Sequence, residues 1–313
     1  MLKQGNRRLA RAALNAPRLF LRAAARRVRQ FFGISLARSI GGDLATVLFL
    51  SFIAAFMALP LVYVFVNAFK PPDELFLFPP RFFVQNPTLE NFSDFAALIE
   101  NSWVPFSRYA FNSAFTTSAA TAAHVVFASM AAYVLEKHRF PGRRLFFSVV
   151  ILSLMFSSEV LFVPRMLVMN SIGWMDTYWA IIVPAAGMPI GLFLIKQFMA
   201  SVPDSLLESA KIDGANEMYI FWNIVMPLIK PAWLTALIFC SQQIWNNTSG
   251  APFIRAEQLK PIPQAMSRIL DGGIGRWGSG AVVSLFMVSV PITVFIIAQA
   301  NILDTMTASG LKE

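Results

Sequence analysis

Residues 208–227 read ESAKIDGANEMYIFWNIVMP, a largely polar stretch set between two segments that are almost entirely apolar. Pro203 and Asp204 offer a helix start, with Asp204 as the N-cap and Glu208 in the second turn. Gly214 breaks that run, and a second helical segment over about 216–225 ends before Pro227. The pattern predicts two short helices folded back about a glycine. Tyr219, Phe221 and Trp222 supply aromatic anchors, which suits docking against another protein.

The flanks of this knuckle set the solvent. The chain has 313 residues, 56% hydrophobic and only 14% charged, more apolar surface than a soluble domain of this size hides. A lipid bilayer is the implied medium. The single Cys240 excludes an internal disulfide, and His124 and His138 are too few and too isolated for a structural zinc site. A net charge of +9 would suit nucleic acid, but here the basic residues concentrate at membrane flanks, so no nucleic-acid partner is expected.

Apolar runs able to cross about 30 Å of hydrocarbon occur at 43–69, 109–135, 145–168, 178–199, 228–246 and 281–303. They predict an all-α integral membrane protein of six transmembrane helices. Pro60, Pro164, Pro184, Pro189 and Pro291 fall inside these runs, and a membrane bundle tolerates them when neighbours satisfy the freed carbonyls. Six crossings put both termini on one side. Residues 1–42 hold ten Lys and Arg, 136–144 four, 196–230 three and the tail one, which is 18 of the 26. The alternate loops hold the remaining eight although they are longer. By the positive-inside rule the termini, the hairpin at 201–227 and the tail at 306–313 are cytoplasmic.

The basic segment 1–42 stands apart from the transmembrane domain at 43–305. Arg18, Arg22, Arg26 and Arg29 recur at helical spacing opposite Phe20, Leu21, Val28, Phe31 and Phe32. This reads as an amphipathic helix on the anionic leaflet, with a targeting sequence and a disordered topology anchor as alternatives. The exterior loops 70–107 and 247–280 are rich in Pro, Asn, Phe and Gly and are expected to form an ordered cap.

Several activities are excluded by what is missing. The dipeptide Gly-Lys never occurs, so the chain has no phosphate-binding G-x-x-x-x-G-K-[ST] loop. Gly273, Gly275 and Gly278 satisfy G-x-G-x-x-G, but no strand precedes them and a membrane helix follows, so they read as a flexible loop. H-E-x-x-H and G-x-S-x-G are also absent. No enzymatic role is expected.

Glu208-Ser209-Ala210, three residues, Gly214, nine residues, Ile224, one residue and Met226-Pro227 resemble the "EAA" loop of membrane subunits of binding-protein-dependent ABC importers. The pattern there is E-A-A-x3-G-x9-I-x-L-P, from which Ser209 and Met226 depart. The fuller run SVPDSLLESAKIDGANEMYIFWNIVMPLIKPA is similar to the carbohydrate-uptake branch, the maltose-type second permease. Residues 157–198 and the closing MTASGLKE extend the resemblance over 43–313. It implies the type I ABC importer permease fold in the cytoplasmic membrane and a carbohydrate substrate. It also implies a homologous second permease, a dimer of cytoplasmic ATPase subunits and an extracytoplasmic solute-binding protein as partners. ATP and Mg would then be bound by the ATPase chains, with no cofactor on this one. Glu208, Ser209, Ala210, Asp213, Gly214, Ile224, Met226 and Pro227 would form the ATPase-coupling element, with Gly214 as its turn.

A sugar path calls for amides beside an aromatic face. Gln242, Trp245 and Asn246 fall on one side of the fifth run, either lining the path or packing against a second permease. Glu159 is the only acid well inside a run and is the remaining path candidate, with a hydrogen bond beside Pro164 as the alternative. Gly187 and Gly191 form G-x-x-x-G, which permits close helix approach, and His124 reads as an interhelical donor before a proton relay. A gradient-driven transporter or channel would share six helices, but it would not need the hairpin and would carry more buried titratable groups.

Overall fold

The computed structural model describes residues 40–100, 103–157, 159–247, 253–270 and 276–310. The basic segment 1–39, Gly273 and Gly275 lie outside them. The chain divides into two units, 1–60 and 61–313. The described part of the first belongs to helix α1, Ile40–Ala68.

Among the described residues there is no strand. After α1 come the short α2 (Pro72–Leu75), α3 (Glu90–Glu100) and the long α4 (Phe106–Lys137). There follow α5 (Arg143–Ser153), α6 (Phe162–Ser171), α7 (Trp179–Ala186) and α8 (Pro189–Met199). The hairpin is α9 (Asp204–Ile212) and α10 (Glu217–Leu228), and α11 (Lys230–Trp245), α12 (Ile262–Leu270) and α13 (Trp277–Gly310) complete the chain. Four helices are long and apolar enough to cross a membrane, in α1, α4, the α7–α8 pair and α13. A fifth results if α10 and α11, bent by 80°, are taken together.

The third apolar run, expected as one helix over 145–168, is two helices of 11 and 10 residues. Each rises only about 16 Å, short of a bilayer. The break falls where Ser157 and Glu159 interrupt the apolar run, and Pro164 sits in the first turn of α6, where no helical partner needs its missing N–H. Glu159 is therefore in a turn, not within a helix. The fourth run breaks at Gly187–Met188 because Pro189 holds Met188 extended, at ψ 126°. The last helix runs through Gly310, so the first part of the expected tail is helical.

Helix α4 is the axis of the second unit and packs against α7, α8 and α11. Between Tyr109 and Tyr133 its buried stripe is mostly small or polar: Asn112, Ser113, Thr116, Ala120, Thr121, His124, Ala128, Ser129 and Ala132 recur every three or four residues. Small residues let backbones approach where lipid supplies no hydrophobic drive between helices. At one end of α4, Asn112 donates to the carbonyls of Gln258 and Lys260 at 2.8 and 3.0 Å, and Ser113 accepts from Ile262 N at 2.7 Å. At the other end Lys137 and Tyr133 meet the hairpin. The third apolar region connects these ends, from Arg143 near Glu136 to Phe162 against Phe253.

Side chains occupy the helix breaks. His124 Nδ1 donates to the carbonyl of Ala186 at 3.1 Å, at the interruption between α7 and α8. Its ring lies against Gly191, where a Cβ would fall 1.9 Å from Nε2. Gly191→Ala should thus expel His124 and destabilise the protein by about 1–3 kcal/mol, as overpacking does. Gly187→Ala, whose Cβ would meet only Pro184 and Val183 carbonyls at 3.8 and 3.9 Å, should leave thermal unfolding in detergent unchanged.

The candidate coupling hairpin

The hairpin is built from a glycine outward. Gly214 takes φ +85°, the left-handed region that a side chain makes unfavourable. Its N–H donates to Lys211 O at 3.0 Å and that of Ala215 to Ala210 O at 3.0 Å, the paired closure of a Schellman motif. Asn216 then caps the next helix by accepting from Tyr219 N at 2.8 Å. The fold-back expected from the sequence is present.

Its details differ at both ends. Pro203, not Asp204, is the N-cap, and Asp204 is the first helical residue. Its carboxylate is taken by Lys137 at 2.7 Å. The second helix does not stop before Pro227. It continues to Leu228 through a π-helical stretch, Ile220–Val225, and bends at Ile229. In that stretch Met226 N–H reaches back to Phe221 O, so the register has already shifted where Pro227 brings no N–H. Trp233 Nε1 covers the bend by donating to Met226 O at 3.0 Å.

The base of the hairpin is clamped to α4. Lys137 donates to Val202 O at 2.6 Å as well as to Asp204, and Tyr133 donates to Glu217 at 2.8 Å. Glu217 is also 2.6 Å from Lys211 and 3.6 Å from His138. Lys137 holds the Asp204 carboxyl below the usual carboxylate range, and Lys211 followed by Tyr133 does the same for Glu217, both outside the membrane spans. Leu207, Ile220, Phe221, Val225 and Ile229 are buried with Tyr133, Ile195 and Met199 in one cluster. Outside the bilayer each such side chain contributes about 1.5–3 kcal/mol.

The motif residues divide by face. Ala210, Ile224 and Met226 pack on that cluster, whereas Glu208, Ser209, Asp213, Gly214 and Pro227 are exposed. Ser209 bonds Ser205 O at 2.8 Å within its own helix, so its departure from Ala brings no packing penalty. Beyond the motif, Leu206, Ile212, Met218, Tyr219 and Trp222 are also exposed, with Ile212 at 86%. This apolar tip was legible in the sequence only for Tyr219 and Trp222. Phe221, expected as an anchor, is buried in the base.

At the opposite end the other candidates separate. Trp245 is buried among Val104, Tyr109, Ile262 and Val283 and donates through Nε1 to Met287 O at 3.0 Å. Met287 is four residues before Pro291, which has no N–H to offer that carbonyl. Gln242 is half-buried and Asn246, the C-cap of α11, is exposed. Glu159 is exposed, its carboxylate accepting from Ser157.

The described parts of the loops at 70–107 and 247–280 are held by side-chain to backbone bonds. Buried Lys70 donates to Asn67 and to Arg81 O, Glu74 accepts from Gln85 N and Asn86 N, and Asp176 accepts from Arg255 N and Ala256 N. Those backbone donors lower both carboxyl pKa values. Gly278, the last residue of the G-x-G-x-x-G run, lies in α13, where an added Cβ would fall 2.0 Å from Asn91 Oδ1. Its role is close packing.

Residues 124–307 match the family described as "Binding-protein-dependent transport system inner membrane component". The chain belongs to this family. Protein LplC of Bacillus subtilis strain 168 is 37% identical over 210 residues, 66% of this chain and 67% of that protein. The arabinooligosaccharides transport system permease protein AraQ of the same organism is 27% identical over 264 residues, 82% of this chain and 93% of that one. Among solved structures, a bacterial ABC transporter involved in the import of the acidic polysaccharide alginate is similar at TM-score 0.68. Its identity is 23%, with 85% of this chain and 98% of that chain covered. The fold is that of a type I ABC importer permease. This permease is an inner-membrane transport subunit and not an enzyme.

In this permease, Trp245→Phe keeps the apolar bulk and removes the donor. It should lower stability in detergent by about 1–3 kcal/mol, the cost of an unpaired buried carbonyl, as a reduced thermal midpoint.

Proposed function

We propose that this chain is one of two homologous permeases of an ATP-driven importer of a sugar or oligosaccharide. Its hairpin 201–227 seats in a cleft of a cytoplasmic ATPase subunit. ATP and Mg are bound by the dimer of those subunits, and an extracytoplasmic solute-binding protein delivers the solute. The reading carries six crossings with cytoplasmic termini, the third made by α5 and α6 in series. Closure of the ATPase pair then drives alternating access of the two permeases to either face of the membrane.

One observation carries this reading: a hairpin whose base is bonded to α4 while its tip presents Ile212, Met218, Tyr219 and Trp222. A push on such a tip is delivered to the central helix through Lys137 and Tyr133 instead of dissipating in a loop. The family description supports dependence on a binding protein. The name of AraQ and the alginate importer support a saccharide.

Nothing lies within 4 Å of a Cβ placed on Gly214, so substitution there acts through the backbone alone. A non-glycine residue in this region is disfavoured by about 1–2 kcal/mol, and a β-branched one by more, whereas Asn is accommodated. Gly214→Val should therefore reduce solute moved per ATP in proteoliposomes by about tenfold with the complex still assembled. Gly214→Asn should stay near wild type. Full coupling in Gly214→Val would overturn the docking role.

For the solute path, Gln242, Asn246 and Glu159 are the accessible polar groups, and Trp245 holds the wall behind the first two. Asn246→Ala should raise the uptake KM about fivefold, the worth of one hydrogen bond, without loss of assembly. An unchanged KM would remove Asn246 from the path.

A further inference from the structure

The turn from α4 into α5 carries a feature that neither coupling nor solute binding uses. Arg139, Phe140, Gly142, Arg143, Arg144 and Leu145 line an open depression of about 630 Å³. Gly142, at φ +86°, makes the turn that brings Arg139 and the Arg143–Arg144 pair to one opening. Charge there is one-sided, because no carboxylate lines the depression. Arg143 stands 3.6 Å from Glu136, but that carboxylate is already 2.7 Å from Lys196. Arg139 acts electrostatically on Asp204, which is bonded to Lys137 instead. Among the described residues, neither Arg139 nor Arg144 forms an ion pair.

Depth is fixed by the helix that follows. Leu145, Phe146, Val149 and Leu152 on α5 are exposed, and in an inner-membrane protein such a surface faces hydrocarbon. Arginines at the start of such a helix are placed at headgroup level, where a long basic side chain can reach the interface. A guanidinium fork matches two oxygens of a phosphodiester.

We propose that this turn seats the phosphodiester headgroup of an anionic phospholipid, held by Arg139 and Arg144 with Arg143 behind them. The acyl chains lie along Leu145, Phe146 and Val149. The seat adjoins the hairpin base, since His138, next to Arg139, meets Glu217. The proposal requires membrane embedding only and stands whichever solute is carried.

The test places the intact importer complex in phosphatidylcholine nanodiscs containing phosphatidylglycerol and counts retained phosphatidylglycerol by native mass spectrometry. The wild type should keep one more such lipid per copy of this chain than the Arg139→Gln/Arg144→Gln variant. Affinity should fall roughly fivefold for each arginine removed. Arg144→Lys, which keeps the charge but loses the fork, should bind less than the wild type and more than Arg144→Gln. Equal counts in wild type and double variant would overturn the proposal. Displacement of the lipid by millimolar inorganic phosphate would show a site for free anions instead. Loss of ATPase chains from the double variant with the lipid count unchanged would show a protein-docking surface, and either result also overturns it.

Discussion

In hydrocarbon no water is available to a backbone carbonyl, so every place where a helix bends or meets proline must borrow a donor from elsewhere. Three such places organise this permease. His124 supplies Ala186 where the fourth apolar run breaks, Trp245 supplies Met287 above Pro291, and Trp233 supplies Met226 at the 80° bend before α11. Each donor comes from an aromatic ring whose apolar body packs while its N–H is spent on the carbonyl. Proline and glycine could then shape the helices without leaving these three carbonyls bare.

The hairpin depends on the same economy of partners in a wetter setting. Its turn is closed by its own backbone, which frees the side chains to face two ways. The inward face packs on α4, α8 and α11, and the ion pairs that tie its base to the bundle come from Lys137 in the last turn of α4 and from His138 after it. Among the described residues, the apolar side chains of the tip are left exposed. An element rigid at its root and unsatisfied at its tip is suited to transmitting displacement. At the other end, Asn112 and Ser113 tie the 257–262 segment to the same helix, so α4 is anchored at both of its ends.

The helical class, the membrane setting and the hairpin about Gly214 were legible in the sequence. All are local: hydrophobic run length, charge along the chain, and a glycine between two helical patterns decide them without reference to distant residues. Boundaries governed by neighbours were not. The third run reads as continuous because apolar content outweighs Ser157 and Glu159 over a span-length window, yet the backbone breaks at that polar run. The helix through Pro227 survives because a π-helical stretch shifts its bonding register, which composition does not encode.

Side-chain duties divide in the same way. The sequence by itself determined that Trp245 lies beside Gln242 and Asn246, that the Gly187/Gly191 spacing permits close helix approach, and that His124 is solitary. Only the tertiary structure decided that Trp245 answers a carbonyl near Pro291, that Gly191 is the notch for His124, and that Phe221 turns inward while Ile212 turns out. The reason is physical. Spacing along a helix fixes which residues share a face, but a hydrogen bond or a close approach is a property of two elements, set only when the bundle brings them together.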